Sequence, residues 1–144
     1  MTVYGQSKLA NLLFAFELQR RSDAHGWGVA SIAAHPGISR TELIPNSMGR
    51  TSFAGVMRFL FGPLLFQSPA QGALPTLFAA TSPLAELGAY YGPDRWNETR
   101  GNPAPAKIPA QAEDSAAATR LWEVSQQLTQ APFPGGDSVG TSVA

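Results

Sequence analysis

Residues 29–37 read Val-Ala-Ser-Ile-Ala-Ala-His-Pro-Gly, and they indicate the class of the fold. The first six residues are small or apolar, without the polar–apolar alternation of a half-exposed strand. Such a run is typical of a parallel strand that is covered on both faces. We therefore predict a strand over residues 29–34, ended by His35-Pro36-Gly37.

A helical pattern precedes this strand and covers residues 4–21. Its apolar side chains repeat at the i, i+3, i+4 and i+7 spacing of one helical face, as in Leu9, Leu12, Leu13 and Phe16. A helix followed by a strand covered on both faces is typical of an α/β protein. The sequence therefore predicts an α/β fold with a parallel sheet.

Further elements follow the strand. Residues 38–45 resemble a loop, and residues 51–61 have the apolar spacing of a helix. A second helix is predicted from Ser68 to about Thr81, because Ser68 suits the N-cap and a proline follows it. We expect a kink at Pro75, since proline removes a helical hydrogen bond.

The last third of the chain alternates turns and elements. We predict a strand over residues 89–91, ended by Gly92-Pro93, and a loop over residues 97–110. Asp114 is predicted to cap a last helix that ends near residue 128. The side of this helix that faces the core is predicted to carry Leu121, Trp122, Ser125 and Leu128. Residues 132–144 are rich in Gly, Ser and Pro, so we expect a disordered tail.

Composition excludes several classes of function. The chain has 144 residues, 44% hydrophobic, which suits one small domain with a core. Ten basic and ten acidic residues give a net charge of zero, which disfavours nucleic-acid binding. There is no cysteine, and only His25 and His35 could bind metal through imidazole, so we predict no metal site.

Residues 59–85 form the longest apolar stretch relevant to a membrane, and they carry no charge. Glycines and prolines interrupt them, so we predict no transmembrane span. We interpret the stretch as buried or ligand-facing, with loose contact to a membrane surface through residues 59–66 as the alternative. No signal peptide is visible, and we predict a cytoplasmic chain.

Tyr4 and Lys8 carry the most informative spacing. Four residues apart at the start of a helix, their side chains lie on one face. A neighbouring ammonium favours the phenolate and lowers a tyrosine's pKa, which suits a general acid/base acting on an alcohol or carbonyl oxygen. The spacing alone also fits a solvated surface pair.

Pro36-Gly37 follows the predicted buried strand directly, and Thr41 lies four residues beyond the glycine. In open α/β sheets, ligands bind at the carboxyl ends of the strands. Glycine there allows a ligand to approach the backbone closely. An ordinary turn at the end of a strand is the alternative.

Together these residues resemble the short-chain dehydrogenase/reductase family, in particular its retinol-dehydrogenase-like members. The similar segments are Tyr-Gly-Gln-Ser-Lys-Leu-Ala-Asn (4–11), His-Pro-Gly-Ile-Ser-Arg-Thr-Glu-Leu (35–43), Ser-Pro-Ala-Gln-Gly-Ala (68–73), Tyr-Tyr-Gly-Pro (90–93) and the helix of residues 117–128. The resemblance covers about residues 2–130, in the family's order.

The resemblance implies roles for individual residues. Tyr4 would be the general acid/base, and Lys8 would bind the ribose of NAD or NADP and lower the pKa of Tyr4. The backbone of Pro36, Gly37 and Ile38 would hold the nicotinamide carboxamide, with Thr41 beside it. An apolar segment over residues 48–66 would form a lid for a lipophilic alcohol or carbonyl substrate, although core packing explains its aromatic residues equally well.

The resemblance covers the carboxyl-terminal half of the family only. No glycine-rich strand–turn–helix for the dinucleotide occurs in the sequence. Residues 1–131 are therefore expected to be the C-terminal part of a Rossmann-type, doubly wound parallel sheet, inactive as the isolated chain. The resemblance further implies a homodimer through the helix of residues 4–21. A non-catalytic α/β interaction module or subunit is the alternative.

Overall fold

The computed structural model describes residues 2–37 and 67–131. The chain divides into two compact units, residues 1–31 with 108–144, and residues 32–107. The described elements are helical in the first unit, whereas the second combines strands with a helix. The fold is α/β, as the sequence predicts.

Helix α1 spans Val3–His25 and forms most of the first unit. The Thr2 hydroxyl accepts the Gly5 N–H at 3.2 Å, which satisfies a free donor of the first turn. Gly26 ends the helix in the left-handed conformation, with φ 64°. The predicted helix is therefore confirmed, and it extends four residues further.

Helix α3 spans Ser115–Thr129 and follows a short 3₁₀ helix at Ala110–Glu113. The Asp114 carboxylate caps it by accepting the Ala117 N–H at 2.9 Å, as predicted. Trp122 is 1% exposed, and Phe14 of α1 stacks on it with ring centroids 5.1 Å apart. These two rings form the centre of the core of this unit.

Leu128 does not face the core, which corrects the prediction for the last turn of α3. Its side chain is 80% exposed. Six residues separate it from Trp122, and this spacing rotates it about 120° away from Trp122 around the helix. The buried face of α3 is therefore narrower than its apolar pattern suggests.

Glu17 is the main buried charge of the first unit, and it lies on α1. Arg20 donates two hydrogen bonds to its carboxylate at 2.6 and 2.7 Å, and Arg21 donates one at 2.6 Å. Burial opposes ionisation of Glu17, but these two guanidinium groups outweigh it and hold the pKa of the carboxyl below its usual value. Thr119 of α3 donates a longer bond to the same carboxylate at 3.4 Å.

The second unit contains a three-stranded sheet in the order β1-β2-β3. Strand β1 is Ala33–Ala34, β2 is Tyr90–Arg95 and β3 is Arg100–Pro105. β1 pairs parallel with β2, and β2 pairs antiparallel with β3. A parallel pair with an intervening helix is the unit from which α/β folds are built.

Strand β1 is shorter than the predicted strand of residues 29–34. The backbone of residues 29–31 is bonded to side chains of α1 instead of to a strand among the described residues. Ser22 bonds both the N–H and the C=O of Val29, at 3.0 and 2.8 Å, and Gln19 accepts the Ser31 N–H at 2.7 Å. These bonds to side chains take the place of the hydrogen bonds to a neighbouring strand that the sequence pattern predicts for residues 29–31.

Helix α2 spans Pro69–Thr81, with Ser68 as its N-cap, and confirms the predicted second helix. Pro75 is buried inside it, and the helix continues past this residue. Phe78 packs edge-on against Tyr91 of β2, with ring centroids 5.0 Å apart. This contact joins α2 to the central strand.

The predicted strand of residues 89–91 corresponds to the start of β2, but its predicted end was wrong, as was part of the loop predicted over residues 97–110. Gly92-Pro93 lies inside β2 and does not end it, and β3 occupies part of the predicted loop of residues 97–110. The register pairs Pro93 with Pro103 and Tyr91 with Pro105. Proline has no N–H to donate. It is therefore tolerated at strand positions whose nitrogen makes no hydrogen bond to the neighbouring strand.

The predicted helix of residues 51–61, the predicted loop of residues 38–45 and the predicted tail of residues 132–144 lie outside the described residues.

Candidate active site

Tyr4 and Lys8 lie in the first turns of α1, directly after the Thr2 cap. Lys8 Nζ is 5.4 Å from the centroid of the Tyr4 ring. The two side chains therefore share one side of the helix, at the distance of a cation–π contact. This is the juxtaposition that a spacing of four residues predicts.

Both polar groups are available to a ligand. The Tyr4 side chain is exposed, with 71% of the residue accessible, and Lys8 is exposed too. Within residues 2–37 and 67–131, neither the phenol nor the ammonium is hydrogen-bonded to a protein group. The neighbouring Ser7 hydroxyl donates to the Tyr4 carbonyl at 2.8 Å and leaves the phenol unengaged.

The turn at Pro36-Gly37 belongs to the second unit and ends β1. Gly37 has φ 64°, a conformation that favours glycine. A Cβ at this position would lie 2.5 Å from the Thr99 carbonyl oxygen and 2.8 Å from Pro93 Cγ. Both the backbone conformation and the space therefore require glycine here.

Gln67, which lies 31 residues after Pro36 in the sequence, anchors the turn. Its side-chain amide donates to the Pro36 carbonyl, and its Oε1 accepts the Gly101 N–H at 3.3 Å. Gln67 is 2% exposed, so both bonds are shielded from water. The residue connects the turn after β1 to the start of β3.

His35 fills the space beside the same turn. Its Nδ1 lies 3.3 Å from the Gly37 nitrogen and accepts that N–H, while its Nε2 lies 3.4 Å from Glu98 Oε2. Nε2 is buried and makes no hydrogen bond of standard geometry among the described residues, so the Glu98 contact is a close polar contact only. A Cβ at Gly92 would overlap the imidazole, so glycine there makes room for the ring.

The pKa of the His35 imidazole depends on burial and on Glu98. Burial lowers the pKa of His35, and the nearby Glu98 carboxylate opposes that effect only in part. Burial also raises the pKa of Tyr90, whose ring centroid is 5.2 Å from that of His35, and Glu98 adds to that shift. His35 is therefore neutral at neutral pH.

Glu98 reaches His35 from a left-handed turn between β2 and β3. Trp96, Asn97 and Glu98 have φ values of 51°, 54° and 61°. Each such residue other than glycine costs roughly 1–2 kcal/mol. Glu98 Oε1 accepts the Lys107 N–H at 2.7 Å, which fixes the carboxylate from the other side.

The sequence did not point to Gln67 or Glu98. Gln67 bonds a carbonyl 31 residues away, and Glu98 depends on an unusual backbone turn. The one available signal is Asn97, because asparagine tolerates the left-handed conformation better than most residues. The sequence analysis named His35 in the segment that ends the strand, in a segment that resembles the family and as one of two histidines, but gave it no role at this turn.

The remaining predicted site residues, Ile38 and Thr41, lie outside the described residues, as does the predicted lid of residues 48–66. Residues 2–37 and 67–131 contain no group of three or more His, Cys, Asp or Glu side chains placed to hold a metal ion. In the same residues, no helix has the length and apolar character needed to cross a membrane.

Similar proteins are found among curated sequences. The chain is 38% identical over 133 residues to a short chain dehydrogenase/reductase of Macrophomina phaseolina, a match that covers 89% of this chain and 59% of that protein. It is 40% identical over 142 residues to the polyprenol dehydrogenase of Mus musculus, covering 96% of this chain and 38% of the relative. The chain matches part of the short-chain dehydrogenase/reductase family.

A further curated relative and a solved structure are also similar to the chain. The chain is 39% identical over 128 residues to mouse retinol dehydrogenase 13, covering 87% of this chain and 35% of the relative. A crystal structure of an uncharacterized protein from Mycobacterium paratuberculosis superposes with a TM-score of 0.64 at 36% identity, over 91% of this chain and 40% of that one. No family model matches the chain. The chain spans 28% to 59% of the length of the curated relatives that it matches.

Proposed function

We propose that the chain is part of an NAD(P)-dependent oxidoreductase that interconverts an alcohol and a carbonyl. The observation that carries this proposal is the exposed Tyr4 phenol with the Lys8 ammonium 5.4 Å from its ring centroid. The match to short-chain dehydrogenase/reductases supports it. Two relatives are named for polyprenol and retinol, so a lipophilic substrate is the class we propose.

Tyr4 is the proposed general acid/base. In reduction its phenol protonates the carbonyl oxygen, and in oxidation its phenolate accepts the proton of the alcohol. The Lys8 ammonium, on the same side of α1, binds the ribose hydroxyls. The nicotinamide of NAD or NADP supplies the hydride chemistry when it is bound.

The turn after β1 is the proposed binding segment for the nicotinamide end. Pro36 is exposed, and the turn lies at the carboxyl end of a parallel strand. Ligands of open α/β sheets bind at such strand ends, which fits a carboxamide that bonds to main-chain groups. Ile38 and Thr41 belong to the same proposed segment.

We propose that residues 1–131 form a carboxyl-terminal part of the family's domain and that residues 132–144 are a tail. The pyrophosphate then needs a glycine-rich turn that this sequence does not contain. We therefore expect the isolated chain to have no dehydrogenase activity.

The first experiment is a titration of the chain with NADH and NADPH, followed by energy transfer from tryptophan to nicotinamide. The proposal expects no saturable binding at millimolar cofactor with this chain alone. It expects binding once the chain is joined to the amino-terminal portion of a relative such as polyprenol dehydrogenase. Failure of the joined protein to bind either cofactor contradicts the proposal.

The second experiment measures turnover of the joined protein with long-chain aldehydes. Tyr4→Phe removes the exchangeable proton, and we expect turnover to fall by about a hundredfold or more while cofactor affinity changes little. Lys8→Met should weaken cofactor binding, whereas Lys107→Met, the matched exposed lysine, should not. Unchanged turnover in Tyr4→Phe would remove Tyr4 from its role.

The same experiments test the alternative of a non-catalytic interaction module. A module would bind no cofactor in either form and would instead associate with itself or another chain. We propose a homodimer through α1, which size-exclusion chromatography with light scattering would detect. We also propose a cytoplasmic location, with fractionation of cells that express the chain as the measurement.

A further inference from the structure

We infer that His35 and Glu98 form a positioning pair that sets the turn at residues 35–37 before a ligand reaches it. The inference rests on the proposed function in one respect, namely that the ligand of this turn is a nicotinamide carboxamide. The pair does not touch the reacting atoms in this proposal. It acts through the backbone of Pro36 and Gly37.

The two imidazole nitrogens make opposite contacts. Nδ1 accepts the Gly37 N–H at 3.3 Å, so it carries no proton. Nε2 lies 3.4 Å from Glu98 Oε2, and a proton on Nε2 is attracted by that carboxylate. The Glu98 charge therefore favours the one neutral tautomer that can hold Gly37.

The ring has little freedom to adopt another orientation. Tyr90 packs against it with ring centroids 5.2 Å apart, and Gly92 leaves space that any side chain would fill. Burial favours the neutral imidazole, the only form with a lone pair on Nδ1. Packing and tautomer together hold the Gly37 N–H in one direction.

Glu98 is itself held in place by unusual means. Three successive left-handed residues, Trp96 to Glu98, bring it to His35, and the Lys107 N–H binds its second oxygen at 2.7 Å. Backbone strain of this kind persists only where the surrounding structure enforces it, and it concentrates at functional sites. The strain here serves the contact between the carboxylate and the imidazole.

Among residues 2–37 and 67–131, few other ionisable groups face this imidazole. Tyr90 approaches from β2, and α2 has no ionisable side chain between Pro69 and Thr81. On β3, the Arg100 guanidinium lies over the Trp96 ring at 5.6 Å from its centroid. Glu98 is therefore the acidic group whose removal should change His35.

The test compares Glu98→Gln with Glu86→Gln in the full chain by NMR. The exposed Glu86 is the control for the same chemical change. We expect the native chain and Glu86→Gln to carry the His35 proton on Nε2. Glu98→Gln should shift protons toward Nδ1, and the hydrogen-exchange protection of the Gly37 amide should fall by about tenfold. An unchanged tautomer and unchanged Gly37 protection in a folded Glu98→Gln variant would overturn the inference.

A second measurement needs no mutation and covers the case in which Glu98→Gln does not fold. Acidification of the native chain protonates Nδ1 and removes the acceptor for the Gly37 N–H. Gly37 protection should then fall in step with the titration of His35, while the Ala33 amide, which donates to the Ala89 carbonyl at 2.9 Å, keeps its protection. Gly37 protection that does not follow His35 would overturn the inference.

A third measurement separates this inference from the proposed function. Nicotinamide mononucleotide is titrated into the chain joined to the amino-terminal portion of a relative, with Glu98 and with Glu98→Gln, and the Gly37 amide signal is followed. We expect the signal to shift with the native residue, with affinity weakened about fivefold in the variant. No shift with the native residue overturns the carboxamide assignment of the turn, whereas the tautomer measurement still decides whether the pair holds it.

Discussion

The two segments that the sequence assigns to one activity are held in opposite ways. Tyr4 and Lys8 are exposed near the end of a helix, and a single threonine hydroxyl caps the turn that carries them. The turn at Pro36-Gly37 is held by a buried glutamine, a half-buried imidazole ring and the packing around a glycine. A substitution in the first segment should therefore change chemistry and little else, whereas one in the second should change the fold.

This difference follows from the groups that each segment offers. A general acid/base presents a side-chain atom, and a helix positions such an atom through its spacing alone. A backbone binding site presents main-chain groups, which are fixed only when the surrounding residues fix the chain.

Gly37→Ala should produce the largest loss of stability. Its Cβ would meet the Thr99 carbonyl and Pro93, and its φ of 64° would be strained for alanine. We expect unfolding in urea to show a loss of about 4 kcal/mol. The control is Gly26→Ala, which has the same φ but nothing within 4 Å of its Cβ and should lose only about 1 kcal/mol. Equal losses would mean that packing does not hold the turn.

Gln67→Met should rank second, because it keeps the volume but removes two hydrogen bonds. The Pro36 carbonyl and the Gly101 N–H would both lose a buried partner. We expect a loss of about 2 kcal/mol in the free energy of unfolding. Gln71→Met, on the exposed side of α2, should change it by less than about 0.5 kcal/mol. A neutral Gln67→Met would contradict the anchoring role of this side chain.

Acid should weaken the two regions in different pH windows. The pKa of His35 lies below its ordinary 6.5, so the fold favours the neutral form, and stability is lost as pH falls from 6.5 through the folded-state value. The pKa of Glu17 lies below its ordinary 4.5, so its contribution is lost only in stronger acid. In unfolding curves measured across pH, the loss of stability that begins below pH 6.5 should be absent in His35→Asn. The loss in stronger acid should be absent in Glu17→Gln. Identical pH profiles for the two variants would disprove the assignment.

Tyr4→Phe should have the smallest effect on stability. The phenol is exposed and is not hydrogen-bonded to any group in the described part of the chain, so the free energy of unfolding should change by less than about 0.5 kcal/mol. Thermal unfolding followed by circular dichroism measures this directly. A large loss would mean that Tyr4 supports the fold, and the contrast between the two segments would not hold.

Helices were predictable because their signals are local. Thr2, Ser68 and Asp114 cap helices through side chains three residues from the groups that they bind. The spacing of Tyr4 and Lys8 likewise depends only on helical geometry. These features need no knowledge of the rest of the fold.

Strands and the surroundings of the turn were less predictable because their partners are distant. Residues 29–31 lose their predicted strand to side chains of α1, and the prolines that suggested a loop occur in β3. Glu98 reaches His35 only through consecutive left-handed residues that no strong sequence signal marks. Each of these outcomes depends on contacts that form after the chain has folded back on itself.

The prolines of β3 also determine whether another β-strand can pair with this edge of the sheet. Ala106 donates to the Tyr90 carbonyl and Gly92 pairs with Ala104, so the alternate positions 103 and 105 direct their nitrogens away from β2. Proline at both positions leaves that outer border without two of the donors that an incoming β-segment would need. Within the described residues, these two prolines therefore make the outer edge of β3 a poor template for the growth of fibrils.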